Sequence, residues 1–279
     1  MIKYLQYILP NVIASKIYDY ISCPRIRKVQ KKEEEVLRLA TSEIIDYANF
    51  SLMRYEWGKE NDQTAFLVHG WEGHSGNFAS LIPVLLDHNF RVISIDAPSH
   101  GMSSTGKTNM FELSNILSSH FIKEQPDLVI SHSFGSVSVG NVLKRHPAIK
   151  VRMWLMVTTP NSYKDFIDAI ALKYGLGKKV VQKLVAKIEE DVNENIDDLN
   201  MVVYCNSIKN VERGLIVHSK SDKVLPIDGA RAVHKAFDAS EMIELDGYGH
   251  YSILWAEELI NALNIRLSKY HTHLELHRE

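Results

Sequence analysis

The stretch Asp127–Gly140, DLVISHSFGSVSVG, decides how the rest of the chain is read. It opens with a short apolar run of strand character, Leu128–Ile130. It closes with Val137, Val139 and Val142 among small residues, at a spacing compatible with a helix. Between the two lies SHSFG, with Ser133 at its centre. A serine at the tip of a sharp strand-to-helix turn lifts its hydroxyl above the sheet edge. The backbone N–H groups that follow it open a helix and can stabilise an oxyanion. Small residues two before and two after the serine let the chain turn that tightly. Gly135 fills the second place, and Ser131 stands where glycine is usual. Alone, the pattern fits an ordinary strand–loop–helix joint equally well, so the reading rests on its surroundings.

Outward from this stretch, strands and helices alternate. Upstream, Thr64–His69 and Arg91–Asp96 have strand character. Phe78–Asp87, despite Pro83, and Met110–Lys123 have helix character. Downstream come a helix over Phe134–Arg145 and an apolar strand over Val151–Val157. The segment Thr159–Asn210 breaks the rhythm: it has no clear strand, and Phe166–Tyr174, Lys178–Glu189 and Ile196–Val203 have helical spacing. Alternation resumes with Leu215–His218, Ile227–Phe237, Met242–Leu245 and Ser252–Leu267. Glu43–Tyr47 and Ser51–Trp57 form a hairpin turning at Asn49, and charge-dense Arg25–Ala40 reads as a solvated helix or linker. Such alternation predicts an α/β fold: a doubly wound, mostly parallel sheet with helices on both faces.

Composition narrows the function classes. A net charge of −2 over 279 residues gives no reason to invoke nucleic acid. Cys23 and Cys205 supply neither a disulfide framework nor a metal site, in keeping with a reducing, cytoplasmic setting. No apolar run reaches the ~20 residues that span a bilayer. Met1–Ile21 carries apolar residues at helical spacing, diluted by Gln6, Pro10 and Asn11. A signal peptide and a membrane-surface helix are minority readings of it, and an amphipathic helix docked on the domain is preferred. The polar tail His271–Glu279, with His271, His273 and His277, reads as a frayed end.

Three further stretches follow predicted strands. HGWEG, His69–Gly73, is placed to offer a second backbone oxyanion donor from Trp71, beside the first from Phe134. HSKSDKVLP, His218–Pro226, carries Asp222, an acid able to orient an imidazole. Asp246 competes for that role, but its neighbour Gly247 suits a turn better. GYGH, Gly247–His250, lets a glycine-flexible loop carry His250 across the sheet edge. The order Ser133, Asp222, His250 is the one expected on a doubly wound hydrolase sheet.

With these motifs, and with DAPSHGMS at Asp96–Ser103, the chain resembles the α/β-hydrolase family over roughly Ser51–Leu267. DAPSHGMS is similar to the family's D-x-P-G-H-G-x-S, with Ser99 replacing a glycine, and reads as a structural loop. The resemblance implies a sheet of about eight strands (residues 51–158 and 211–270), preceded by an N-terminal extension with the first strand (1–50). Residues 159–210 would be a helical cap over the site, and 271–279 a tail. It implies a Ser133–His250–Asp222 triad and an oxyanion hole from the Trp71 and Phe134 N–H groups. It also places Trp71 and His132 near substrate, with His132 equally readable as a sheet-edge neighbour and His74 as a loop residue.

The expected activity is hydrolysis of a small-molecule carboxylic ester through an acyl-enzyme, with no metal or organic cofactor. Thioesterase, amidase, acyltransferase or carbon–carbon hydrolase chemistry would use the same three residues. A non-catalytic ligand-binding protein on the same fold, or a membrane-associated lipase using Met1–Ile21, are alternatives of other classes.

Overall fold

A computed structural model describes residues 6–25 and 29–276, with only the backbone of Met110 and of residues 270–276. The first five residues of the expected N-terminal helix, His277 and the side chains of His271 and His273 lie outside what is described. Eight strands form one sheet: β1 (Thr41–Tyr47), β2 (Phe50–Trp57), β3 (Gln63–Val68), β4 (Phe90–Ile95), β5 (Leu128–His132), β6 (Val151–Val157), β7 (Val211–Ser219) and β8 (Ser240–Leu245). Their order is β1-β2-β4-β3-β5-β6-β7-β8. The β1–β2 hairpin pairs antiparallel and joins β4 antiparallel, and every other pairing is parallel. Strands β3, β5 and β6 are buried almost throughout because helices cover both faces, which removes the polar alternation of a half-exposed strand.

The helices are α1 (Pro10–Ile21), α2 (Lys31–Arg38), α3 (Ile82–Asp87), α4 (Met110–Glu124), α5 (Phe134–Arg145), α6 (Tyr163–Tyr174), α7 (Lys178–Val192), α8 (Met201–Ser207), α9 (Ile227–Ala236) and α10 (Glu257–Leu276). One core lies between the sheet and α4, α5, α8 and α9, and includes Phe121, Val139, Trp154, Tyr204 and Val233. A second lies on the opposite face under α2, α3 and α10, around Leu67, Phe78, Leu85 and Leu263. The third contains no strand residue. Ile13, Ile17 and Ile21 of α1 pack on Ile167 and Ile170 of α6 and on Val180, Leu184 and Ile188 of α7.

Several expectations change. The single helix over Phe78–Asp87 is a 3₁₀ turn, Ser75–Phe78, followed by the short α3 with Pro83 in its first turn, where a missing N–H costs nothing. Ile196–Val203 divides into a 3₁₀ turn, Ile196–Asp198, and α8, whose N-cap Asn200 accepts from Val202 N–H at 2.8 Å. The last helix starts at Glu257, after a 3₁₀ turn at Ser252–Trp255. Within the segment 159–210, α6 covers the site with α7 packed behind it, whereas α8 buries Met201, Tyr204 and Cys205 in the sheet core. Charge-dense α2 is not wholly solvated: Glu33 is buried, its carboxylate accepting from Asn77 Nδ2 at 2.9 Å.

Candidate active site

Strand β3 is flanked by β4 on one side and β5 on the other, so the chain's connections reverse direction there. Ligands bind open α/β sheets outside the carboxyl ends of the strands at such a point. Ser133 follows β5 at this edge with φ 53° and ψ −127°, a backbone region costly for any residue with a Cβ. Its surroundings over-determine that conformation. Ser133 N–H donates to the Val157 carbonyl, and Ser136 N–H to the Ser133 carbonyl, both at 2.9 Å. A Cβ on Gly135 would stand 2.5 Å from the Val68 oxygen and 2.6 Å from that of His69, so only glycine lets α5 approach the end of β3.

The two serines at glycine positions each have a partner that accounts for them. Ser131 remains in β5, and its hydroxyl accepts from Trp154 Nε1 at 2.8 Å and meets the Ser136 hydroxyl at 2.9 Å. A fully buried indole N–H needs an acceptor, and Ser131 is that acceptor. Ser99 sits at φ 63°, where glycine is favoured, and its hydroxyl closes the loop by accepting from Gly106 N–H at 2.6 Å. Asp96, before it, accepts from Ser75 N–H and from Met102 N–H, each at 2.8 Å. The Asp96–Ser103 loop is held together by these bonds.

Ser133 Oγ lies 2.9 Å from His250 Nε2, and His250 Nδ1 lies 2.8 Å from Asp222 Oδ2. With its Nδ1–H given to the carboxylate, the imidazole presents a lone pair at Nε2 to the serine hydroxyl. The other carboxylate oxygen of Asp222 accepts from the N–H groups of Val224 at 2.7 Å and Leu225 at 3.1 Å. Burial pushes the Asp222 carboxyl up, but the His250 hydrogen bond and charge and the two backbone donors outweigh it and hold it below its ordinary range. Asp246 instead accepts from the Ser221 hydroxyl and from Gly247 N–H, the turn role its sequence suggests.

Trp71 and Phe134 both line the cavity with Ser133. Phe134 opens α5, so its N–H has no intrahelical acceptor. The peptide carrying the Trp71 N–H is fixed from its other side. The Gly70 carbonyl accepts from His69 Nδ1–H at 2.8 Å and from Gly73 N–H at 3.0 Å. A trans peptide then aims the Trp71 N–H the opposite way. His69 Nε2 accepts in turn from Ala97 N–H at 3.0 Å, and burial keeps this ring neutral. Tyr251 donates its hydroxyl to the Trp71 carbonyl at 2.8 Å. Neither His69 nor Tyr251 was singled out from sequence. A histidine beside a Gly-rich turn and a tyrosine after GYGH were the only signals.

His132 does not line the cavity. It is fully buried, and its Nε2–H donates to the His250 carbonyl at 2.8 Å, its ring 4.9 Å from that of His250. Burial, and then the neighbouring His250, push its pKa well below the ordinary histidine value. It braces the loop that carries His250; a side chain in the strand just below the turn has no path to the cavity. His74 is likewise buried, its Nδ1 accepting from Gly76 N–H at 3.2 Å beside Glu33 and Asn77.

The cavity above Ser133 encloses about 690 Å³. Its floor is Trp71, Ser133, Phe134, Leu225 and His250. Its roof is Phe166, Ala169, Ile170 and Tyr174 of α6, joined by Tyr20, Ile21 and Arg25 from the N-terminal segment. Roof and floor meet where Phe166 packs edge-on against Phe134, ring centres 5.2 Å apart. Arg25 donates to Glu72 at 2.7 Å and ties the N-terminal segment to the loop after Trp71.

Comparison with known proteins accords with this architecture. A family model described as alpha/beta hydrolase fold matches residues 66–181. A serine hydrolase-like protein from Danio rerio is 24% identical over 155 residues, which is 52% of this chain and 41% of that protein. The chain thus spans well under half the length of the curated relative it matches. Among solved structures, a lipase candidate from Acinetobacter baumannii AYE is similar with a TM-score of 0.67 at 18% identity, covering 89% of this chain and 100% of the other. The Pyrococcus furiosus esterase Pf2001 gives 0.64 at 18%, covering 89% and 99%. The thioesterase domain from the curacin biosynthetic pathway gives 0.59 at 14%, covering 82% and 98%. At such identities the likeness is one of fold.

Proposed function

From the α/β-hydrolase fold that this chain carries, we propose that it is a serine hydrolase cleaving a carboxylic ester at Ser133. The observation that carries this reading is the Ser133–His250–Asp222 relay, with separations of 2.9 and 2.8 Å, on the floor of a cavity walled largely by apolar side chains. His250 Nε2 takes the Ser133 proton as Oγ attacks the ester carbonyl carbon. Asp222 stabilises the imidazolium and keeps its tautomer. The oxyanion is received by the Trp71 and Phe134 N–H groups, each worth about 3 kcal/mol in the transition state. As the tetrahedral intermediate collapses, the C–O bond to the alcohol breaks and His250 returns its proton to the leaving oxygen. Water, deprotonated by His250, then attacks the acyl-enzyme, and the acid leaves as Ser133 regains its proton. A cavity of this size suits an ester of moderate bulk.

The test is labelling with a fluorophosphonate, which reports an activated serine without assuming a substrate. Wild type is expected to label, and Ser133→Ala and His250→Ala are not. A panel of esters, thioesters and amides then assigns the bond, since the same three residues could serve each. A folded wild type that neither labels nor turns over any of them would replace this reading with that of a ligand-binding protein.

A further inference from the structure

The roof carries a corner that the hydrolase reading leaves unused. Among the described residues thirteen large apolar side chains are exposed, and six belong to the N-terminal segment and α6: Tyr7, Ile8, Leu9, Val12, Tyr20 and Leu172. Three of them, Tyr7, Ile8 at 76% and Leu172 at 86%, are among the most exposed. Single exposed apolar residues are ordinary, whereas a gathered set signals a surface meant to be covered. What gathers this one is a clasp. Gln6 donates from Nε2 to the Gly175 carbonyl at 3.2 Å and accepts from Gly177 N–H at 2.6 Å. Tyr7 and Ile8 are thereby brought to the turn between α6 and α7, within a few residues of Leu172.

The same turn is basic. Lys173 precedes it, and Lys178 and Lys179 follow it, all exposed. Lys178 and Lys179 have no ion-pair partner among the described residues. The charge of α7 is graded: Lys178 and Lys179 stand at the clasp end, Lys183 and Lys187 further along, and Glu189, Glu190 and Asp191 at the far end. A 15-residue helix separates those ends by roughly 20 Å. Asp165 and Asp168 share the exposed side of α6 with Leu172, and the lysines of the turn outnumber them. Val12, Lys16 and Tyr20 recur every four residues along α1, so one exposed face leads from the corner to Tyr20 in the cavity wall.

We propose that this corner of Tyr7, Ile8, Leu9, Val12 and Leu172, flanked by Lys173, Lys178 and Lys179, docks the protein on an anionic lipid bilayer. Apolar side chains beside lysines match the acyl and headgroup layers of such a surface. No helix of the described residues is long and apolar enough to cross a membrane, so the contact is superficial. That a lipid ester would enter the cavity from this surface rests on the hydrolase reading; the docking itself does not.

The full chain is mixed with vesicles of phosphatidylcholine alone or with phosphatidylserine, and recovery by flotation is measured at low and high salt. Binding is expected to the anionic vesicles and to weaken with salt. Leu172→Asp should lower partitioning about tenfold or more. Lys178→Gln with Lys179→Gln should lower it about 25-fold, at roughly fivefold per cation. Leu172, Lys178 and Lys179 do not line the cavity, so fluorophosphonate labelling of these variants should match wild type and report folding. Wild type left unbound by both vesicles, or variants that bind equally well, would overturn the proposal. So would vesicle-independent self-association abolished by Leu172→Asp, which would make the corner a contact between copies. Vesicle binding by a chain whose Ser133 stays unlabelled would defeat the hydrolase reading and leave docking standing.

Discussion

The floor and the roof of one cavity are built on different physics. The floor is polar and exact in geometry. Ser133, His250 and Asp222 stand on loops after β5, β8 and β7, each fixed by hydrogen bonds to groups behind it: Ser133 N–H to the Val157 carbonyl, His132 to the His250 carbonyl, two backbone N–H groups to Asp222. The roof holds by apolar burial between α1, α6 and α7, with polar ties at its margins such as Arg25–Glu72, Lys107–Asp19 and Asn109–Asp191. The floor and the groups buried behind it include His69, His100, His132, His218 and His250, whereas the described N-terminal segment and residues 159–210 contain no histidine. A hydrogen-bonded floor tolerates no displacement of an atom. A roof of stacked helices can be repacked at modest cost. Substitutions in the floor should therefore abolish turnover, and substitutions in the roof should retune it.

The largest effect is expected from Asp222→Asn, which keeps shape but removes the acceptor that sets the His250 tautomer. Turnover of any ester the wild type cleaves should fall about 10⁴-fold, read as kcat at saturating substrate. A loss of less than tenfold would break the distinction by showing that the floor does not depend on this bond.

Next comes acid sensitivity, which the contrast assigns to the floor. Burial, with the neighbouring His69 adding to it, holds His100 down to about 3, and it also lowers His69, His132 and His218. Each of these rings stays neutral in the folded chain while the unfolded chain takes up its proton near the ordinary value of about 6.5. Stability is therefore full above that pH and falls as pH drops toward the folded value. Between about pH 7.5 and pH 5 His100, held down to about 3, removes roughly 2 kcal/mol. Denaturant unfolding of His100→Gln at both pH values should show a loss smaller than wild type's by about that amount. An unchanged loss would assign the acid sensitivity elsewhere.

Tyr251→Phe deletes the hydroxyl that holds the Trp71 carbonyl, on the loop that would supply the second oxyanion donor. A drop of about fivefold in kcat with KM unchanged is expected, because a neutral hydrogen bond contributes on the order of 1 kcal/mol. A change in KM alone would move Tyr251 from positioning to substrate contact. The smallest effect should come from the roof. Phe166→Ala opens the cavity above Phe134, and a few-fold shift in KM toward bulkier acyl chains is expected with kcat nearly constant. Loss of kcat comparable with the floor variants would show that roof and floor are one unit.

The parts legible in the sequence were those written in local pattern. The apolar runs of β3, β5 and β6, the Gly135 turn and the order of Ser133, Asp222 and His250 all follow from residue type at short spacing, because strand burial and tight turns are local demands. Ser131 and Ser99 looked like departures from that pattern, since their reasons, Trp154 and Gly106, come from elsewhere in the fold. Glu33 looked solvated within a charge run, and only its meeting with Asn77, 44 residues away, makes it buried. His132 stood beside the serine in sequence but beneath it in space, since successive strand side chains point to opposite faces. The division of the chain into an N-terminal extension and a later insertion concealed that α1 roofs the site together with α6, with α7 packed against both. The sequence by itself determined the sheet and the residues at its carboxyl edge, through local period and turn chemistry. Only the tertiary structure decided which side chains brace them and what closes over them, because hydrogen bonds and apolar contacts between distant segments leave no spacing to read.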